Sequence, residues 1–283
     1  MQNYTVHAVG LDSFEKTCDR DKLQARYHQV LPTYEEYMLD ARFKYDVDEI
    51  GFVTNYDPND ESYVMSEYSH FMDLDKDELP IRYGVYATLQ PDCENKIKET
   101  LSKTGSDYVI GATKVIENRW PDEHLEKILD NIKLFKNECD IYAGLFELDN
   151  RYLQHEDLIK EIFNELEDKA ILVNASKYLN MDILDLYIKT KLTSSSAAKK
   201  LKEELMKVAI TTGKLTDETV KNIERKLREK KARIIVGNDA RKVSDLNSNL
   251  AHTLSILKSK DVDPVSFSKR KIMIPSIPIS KEY

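Results

Sequence analysis

Six histidines and three cysteines are the side chains best suited to holding a metal or acting as base or nucleophile, and their spacing favours neither role. His28, His70, His124, His155 and His252 stand on predicted helices or connections without paired ligand spacing, and each reads as a surface or packing residue. Cys18, Cys93 and Cys139 are odd in number, widely separated and without a Cys-x-x-Cys pair. That pattern gives neither a disulfide framework nor a thiolate metal site, so they read as buried reduced thiols. The sixteen tyrosines are a third resource. Two fall in the acidic, aromatic stretch 57–80, which reads as a long connection over one end of the fold, a solvated lid that could also cover a ligand or dock a protein.

The elements that must position such groups follow from the apolar runs. Runs rich in β-branched and aromatic residues at 3–9, 49–54, 82–89, 108–115, 140–145, 170–174 and 233–238 predict seven strands. Several are almost continuously apolar, as parallel strands covered on both faces require. Helical patterns lie between them at 34–44, 93–103, 123–137, 157–168, 195–210, 217–230 and 244–260. Strand and helix alternate strictly, so the fold class is α/β with a parallel barrel or sheet. Pro91 and Pro121 mark helix entrances, where a missing N–H costs little, and Thr216 is a candidate N-cap after a stop at Gly213. Two helical stretches occupy 191–231 where one crossover would suffice, so that segment reads as an inserted helical hairpin within a single domain spanning 1–283. Ala198, Leu201, Leu205 and Val208 line one face of its first helix, fit either for packing on the barrel or for a dimer contact.

Composition removes several functions. With 33% charged and 41% apolar residues the chain is expected to fold. Its net charge of −8 lacks the phosphate-neutralising surface that nucleic-acid binding needs. No run approaches the ~20 apolar residues that span a bilayer, and the opening MQNYTVHAVGLD has no leader pattern, so a cytoplasmic protein with neither membrane nor nucleic-acid partner is expected.

The segments TYEEYMLDARFKYDVDEIGFVTNYDPND, IRYGVYATLQPDCENKIKETLSKTGSDYVIGATKVI, RIIVGNDARKVSDLN and KRKIMIPSIPI together resemble the polymerase-and-histidinol-phosphatase (PHP) family, in its histidinol-phosphatase branch. The resemblance implies a distorted TIM-like barrel of seven parallel strands, with three divalent metals held at the C-terminal strand ends by histidines and carboxylates. It also implies where those ligands should fall. The opening D-x-H-x-H looks like Asn3-Tyr4-Thr5-Val6-His7, so the first histidine is Thr5 and the second is kept as His7. The acid–histidine pair of the second strand falls on Thr54 and Asn55, the bridging glutamate on Tyr86, and the fourth-strand histidine on Lys114. A further histidine falls on Leu145, and the final D-x-H becomes Asp239-Ala240-Arg241. Of nine implied ligand positions, only His7 and Asp239 keep a side chain suited to a metal.

A catalytic zinc takes three protein ligands and a water, and Mg²⁺ or Mn²⁺ wants six oxygens, so two survivors fall short. A cation ~4 Å from a divalent ion, at an effective dielectric of ~20, opposes it by at most ~8 kcal/mol, which sets Lys114 and Arg241 against metal binding. No cofactor is therefore expected, and the resemblance implies a catalytically silent barrel used as an anion-binding, small-molecule-binding or protein-interaction module. In one reading Lys114 or Arg241 simply pairs with Asp239. In the sharper one Lys114, Arg241 and Arg151, helped by Tyr86 and Asn55, hold a small phosphate or carboxylate. The alternative is a metal-dependent phosphoesterase with a rebuilt site, using His7, Asp239 and Lys114 with Mn, Zn or Mg. Expected partners are such a small anion, and a protein partner or second copy at the helical insert.

Overall fold

Alternate residues of the parallel strands go to two different hydrophobic cores, as the period-2 geometry of a strand dictates. The structure, a computed structural model, is described over residues 5–9, 49–56, 81–113, 120–193, 195–238 and 249–273. Seven strands, β1 (Thr5–Val9), β2 (Glu49–Tyr56), β3 (Ile81–Leu89), β4 (Tyr108–Thr113), β5 (Ile141–Tyr142), β6 (Ala170–Asn174) and β7 (Ile234–Asn238), each pair in parallel with the next. β1 also meets β7 through His7↔Gly237 and Ala8↔Asn238, so the order returns to its start. The fold class is α/β with a curled parallel sheet.

Val53, Tyr108, Ile110, Ile141, Leu172 and Ile235 form the inner core. Their neighbours Phe52, Val109, Tyr142, Ile171, Val173, Ile234 and Val236 join the outer core under the helices. A Cβ on Gly84 would lie 2.0 Å from the Tyr108 ring, its register partner on β4, so the glycine makes room for the largest inner side chain.

The helices are α1 (Glu94–Lys103), α2 (Pro121–Phe135), α3 (Glu156–Glu165), α4 (Met181–Thr193), α5 (Ser195–Thr212), α6 (Asp217–Lys231) and α7 (Leu250–Ser259). Each amphipathic helix turns one apolar stripe inward, Ile97 and Leu101 from α1, Ile128 and Ile132 from α2, Ile159 and Phe163 from α3. The proline entrances form as expected. Pro91 opens a short 3₁₀ turn leading into α1, and Pro121 opens α2 behind an exposed Trp120. Gly213 ends α5 at φ +67°, and Thr216 Oγ1 accepts the Thr219 N–H at 3.2 Å to cap α6.

Four differences from the sequence reading have physical causes. The strand expected at 140–145 pairs only at Ile141–Tyr142, because Gly144 turns left-handed at φ +86° and starts a 3₁₀ turn, Leu145–Glu147. Helix α4 was not anticipated; Ile183, Leu184, Leu186, Tyr187 and Ile188 are buried around it, and only the narrow exposed stripe of Asp182, Asp185 and Lys189 marks it as amphipathic. It runs through Thr193, so the hairpin of α5 and α6 starts at Ser195 rather than at 191. Lys191, inside that boundary, is buried and donates to the carbonyls of Phe163 and Leu166 at 2.7 and 3.0 Å, closing the C-terminal end of α3.

The fourth difference is an antiparallel hairpin, β8 (Ser266–Ser268) and β9 (Lys271–Met273). It sends Val265 and Phe267 into the inner core at the starts of β7 and β4. The helix expected at 34–44, the connection 57–80 and the first part of the helix expected at 244–260 lie outside the described residues. Among the described residues no helix is long and apolar enough to cross a membrane.

Candidate functional site

Parallel strands bring all their C-terminal ends to one side of the sheet; of the described candidates Asn55 lies near that end of β2, whereas Thr5 opens β1 at the opposite end. Thr5 and His7 are described through their register. Thr5 stands opposite Glu49, and His7 lies between Gly51 of β2 and Gly237 of β7. Asn55, also described by register, pairs with Tyr86, and Tyr86 with Ile110, so these positions step across β2, β3 and β4. Tyr86 is half-buried against the inner core, and Thr54, one residue before Asn55, is buried. Lys114, Asp239, Ala240 and Arg241 lie outside the described residues, though β7 delivers the chain to Asp239 immediately after Asn238.

Leu145 sits off the strand, 3% exposed, in the outer core. With Thr113, His124, Tyr142, Ala143 and Leu148 it borders a cavity of about 40 Å³. The His124 Nδ1 and the Tyr152 hydroxyl are 2.7 Å apart, and the Asn131 amide donates to the Thr113 hydroxyl at 3.1 Å. Burial holds the Tyr142 phenol well above its ordinary range, so it is a neutral hydroxyl. This is a packed, partly polar pocket with room for water.

Arg151 is exposed on the 3₁₀ turn Asn150–His155 and clasps Asp149 through Nε at 3.0 Å and Nη2 at 2.7 Å. The same carboxylate accepts the Arg151 N–H at 2.9 Å and caps that turn. Hydrogen bonds from Arg151 hold the Asp149 carboxyl below its usual range. The guanidinium is thus committed to a local partner on the surface. Cys139 is fully buried and its thiol is pushed up to about 12 by desolvation, which makes it inert.

One residue at the sheet's C-terminal side was missed. Asn174 ends β6, is buried, and its Oδ1 accepts the Ser176 N–H at 3.0 Å. The signal was present in the run AILVN, where a single amide closes an otherwise apolar strand.

The fit of the implied metals can be tested at three positions whose side chains are described, Thr54, Tyr86 and Leu145. A buried threonine, a packed tyrosine and a core leucine supply no imidazole or carboxylate donor at these three positions. Among the described residues no three His, Cys, Asp or Glu side chains gather as a metal-binding group.

The curled parallel sheet with its outer helices defines the class of this fold, and a solved structure shares it. The chain is similar to histidinol phosphate phosphatase from Lactococcus lactis subsp. lactis Il1403, a structure containing zinc, L-histidinol and phosphate. The superposition has a TM-score of 0.57 at 15% identity and covers 96% of this chain and 98% of that one. At that identity the likeness is one of fold. No family model matches the chain, and no curated protein matches it.

Proposed function

We propose that this chain is a seven-stranded PHP-type barrel that has lost metal-dependent hydrolysis and serves as a binding module for a small phosphate or carboxylate in the cytoplasm. The observation that carries the reading is the chemistry at the expected ligand positions. Thr54, Tyr86 and Leu145 are absorbed into packing, and Lys114 and Arg241 bring positive charge where a metal-binding site would bring donors. The metals of such a phosphatase lower the pKa of bound water and neutralise phosphoryl oxygens, a role that these side chains do not replace. Fixed cations retain the second half of that task, attraction of an anion, and an arginine fork suits phosphate bidentately. Lys114 and Arg241 are assigned to the anion, with Tyr86 and Asn55 as polar contacts. Arg151 would join them only by leaving Asp149.

A second reading is favoured by one feature of the topology. His7 is in register with Gly237, two residues before Asp239 in the chain, so one surviving metal-type residue lies on a strand paired with the strand that leads to the other. A phosphoesterase rebuilt on His7, Asp239 and Lys114 with Mn, Zn or Mg would use that adjacency.

Elemental analysis and phosphate release from histidinol phosphate, with and without added Mn²⁺, Zn²⁺ or Mg²⁺, separate the two readings. The proposal expects no stoichiometric metal and no release, with inorganic phosphate bound by the parent chain and weakened at least about tenfold by Arg241→Ala. Two or three ions retained per chain, with hydrolysis abolished by Asp239→Ala, would establish the rebuilt phosphoesterase instead.

A further inference from the structure

The hairpin of α5 and α6 spans 18 and 15 helical residues, yet no described side chain between positions 199 and 224 is buried. Helices of this length draw most of their stability from tertiary packing rather than propensity, so such a surface calls for a cover. Its apolar content is concentrated. Met206 and Ile210, one turn apart on α5, are 54% and 82% exposed, and Leu215 in the connecting turn is 47% exposed. Helix α4 packs against both members of the hairpin and leaves these three residues outward.

Charge identifies the cover. Residues 195–231 hold eleven Lys and Arg against six Asp and Glu, a net of +5, whereas the remainder of the chain carries −13 of the total −8. A cationic, apolar-tipped arm on an anionic body is complementary to another copy of that body and repelled by another copy of itself.

We propose that each hairpin docks on the acidic body of a second copy of this chain, forming a two-fold dimer by reciprocal contacts. Area is sufficient. Two helices about 27 and about 22 Å long and about 10 Å wide offer about 500 Å² on one face, so two reciprocal contacts bury about 2,000 Å² counting both sides, within the range of stable dimers.

Sedimentation velocity over a concentration series tests the proposal on the full chain. The expected result is a dimer whose dissociation constant rises at least about tenfold between low salt and about 0.5 M salt, where the Debye length is only about 4 Å. Met206→Gln with Ile210→Gln keeps good helix formers at exposed positions, so circular dichroism stays unchanged while the dimer dissociates at least about tenfold more readily. A monomer at every concentration overturns the proposal. So does a dimer indifferent to the double substitution. A dimer unaffected or tightened by salt overturns it too, because an apolar hairpin-to-hairpin bundle would behave that way.

Discussion

Asp140 and Arg270 show how much one ion pair can hold. The Asp140 carboxylate is buried, accepts the Val109 N–H at 2.9 Å and pairs with the Arg270 guanidinium, which also donates to the Glu138 carbonyl at 2.6 Å. Desolvation raises the Asp140 carboxyl above its ordinary 3.8, and Arg270 opposes that rise. A carboxyl whose folded-state pKa is raised contributes stability that is fully present below pH 3.8 and is lost as pH rises through the raised value. Arg270→Met removes the opposing cation and deepens that loss. It should cost about 2 kcal/mol at neutral pH, discounting the partial exposure of the arginine, and much less near pH 4, as read by urea unfolding at the two pH values. An equal cost at both would exclude the ion pair as the cause. Sequence reading could not single out this pair, since Asp140 and Arg270 are 130 positions apart and only the hairpin joins them. The residues it did single out were legible by type, as at Tyr86 and Leu145, but their surroundings were not.

Among the secondary-structure units, those with a one-sided or continuous apolar pattern were legible and the others were not. The parallel strands followed from runs such as AILVN, and α5 and α6 from Ser195, Gly213 and Asp217. Helix α4 escaped because it is apolar on most sides. The β8–β9 hairpin escaped because its two-residue turn is Lys269-Arg270, both at positive φ (49° and 63°), where Asn-Gly would have signalled it. Asp107 holds that turn by accepting the Lys269 N–H at 2.9 Å on its carboxylate and the Arg270 N–H at 2.7 Å on its carbonyl. The contact between α4 and α3 carries a separate expectation. Lys191→Met would strand the Phe163 and Leu166 carbonyls without their buried donor, costing about 2 kcal/mol by chemical denaturation. A neutral substitution would mean that water reaches those carbonyls.

Taken whole, the chain shares its fold with a histidinol phosphate phosphatase, and fold alone does not transmit activity. Ligands that favour the folded state stabilise it by mass action, and this gives the proposed anion site a signature independent of catalysis. At one hundred times its dissociation constant, inorganic phosphate should stabilise the parent by about 2.7 kcal/mol and raise its melting temperature by several degrees, whereas Zn²⁺ or Mn²⁺ should not. Stabilisation by metal alone would return the chain to the enzymes.

The stopper in the sheet's underside is translated after every stave it plugs. Val265 and Phe267 reach the starts of β7 and β4 from beyond all seven parallel strands, so a growing polypeptide leaves that floor open to water until its final stave has already emerged. Vectorial synthesis therefore makes the parallel strands before the residues that cover the starts of β7 and β4, and a chain ending short of Val265 would leave those apolar ends exposed, a natural target for chaperones.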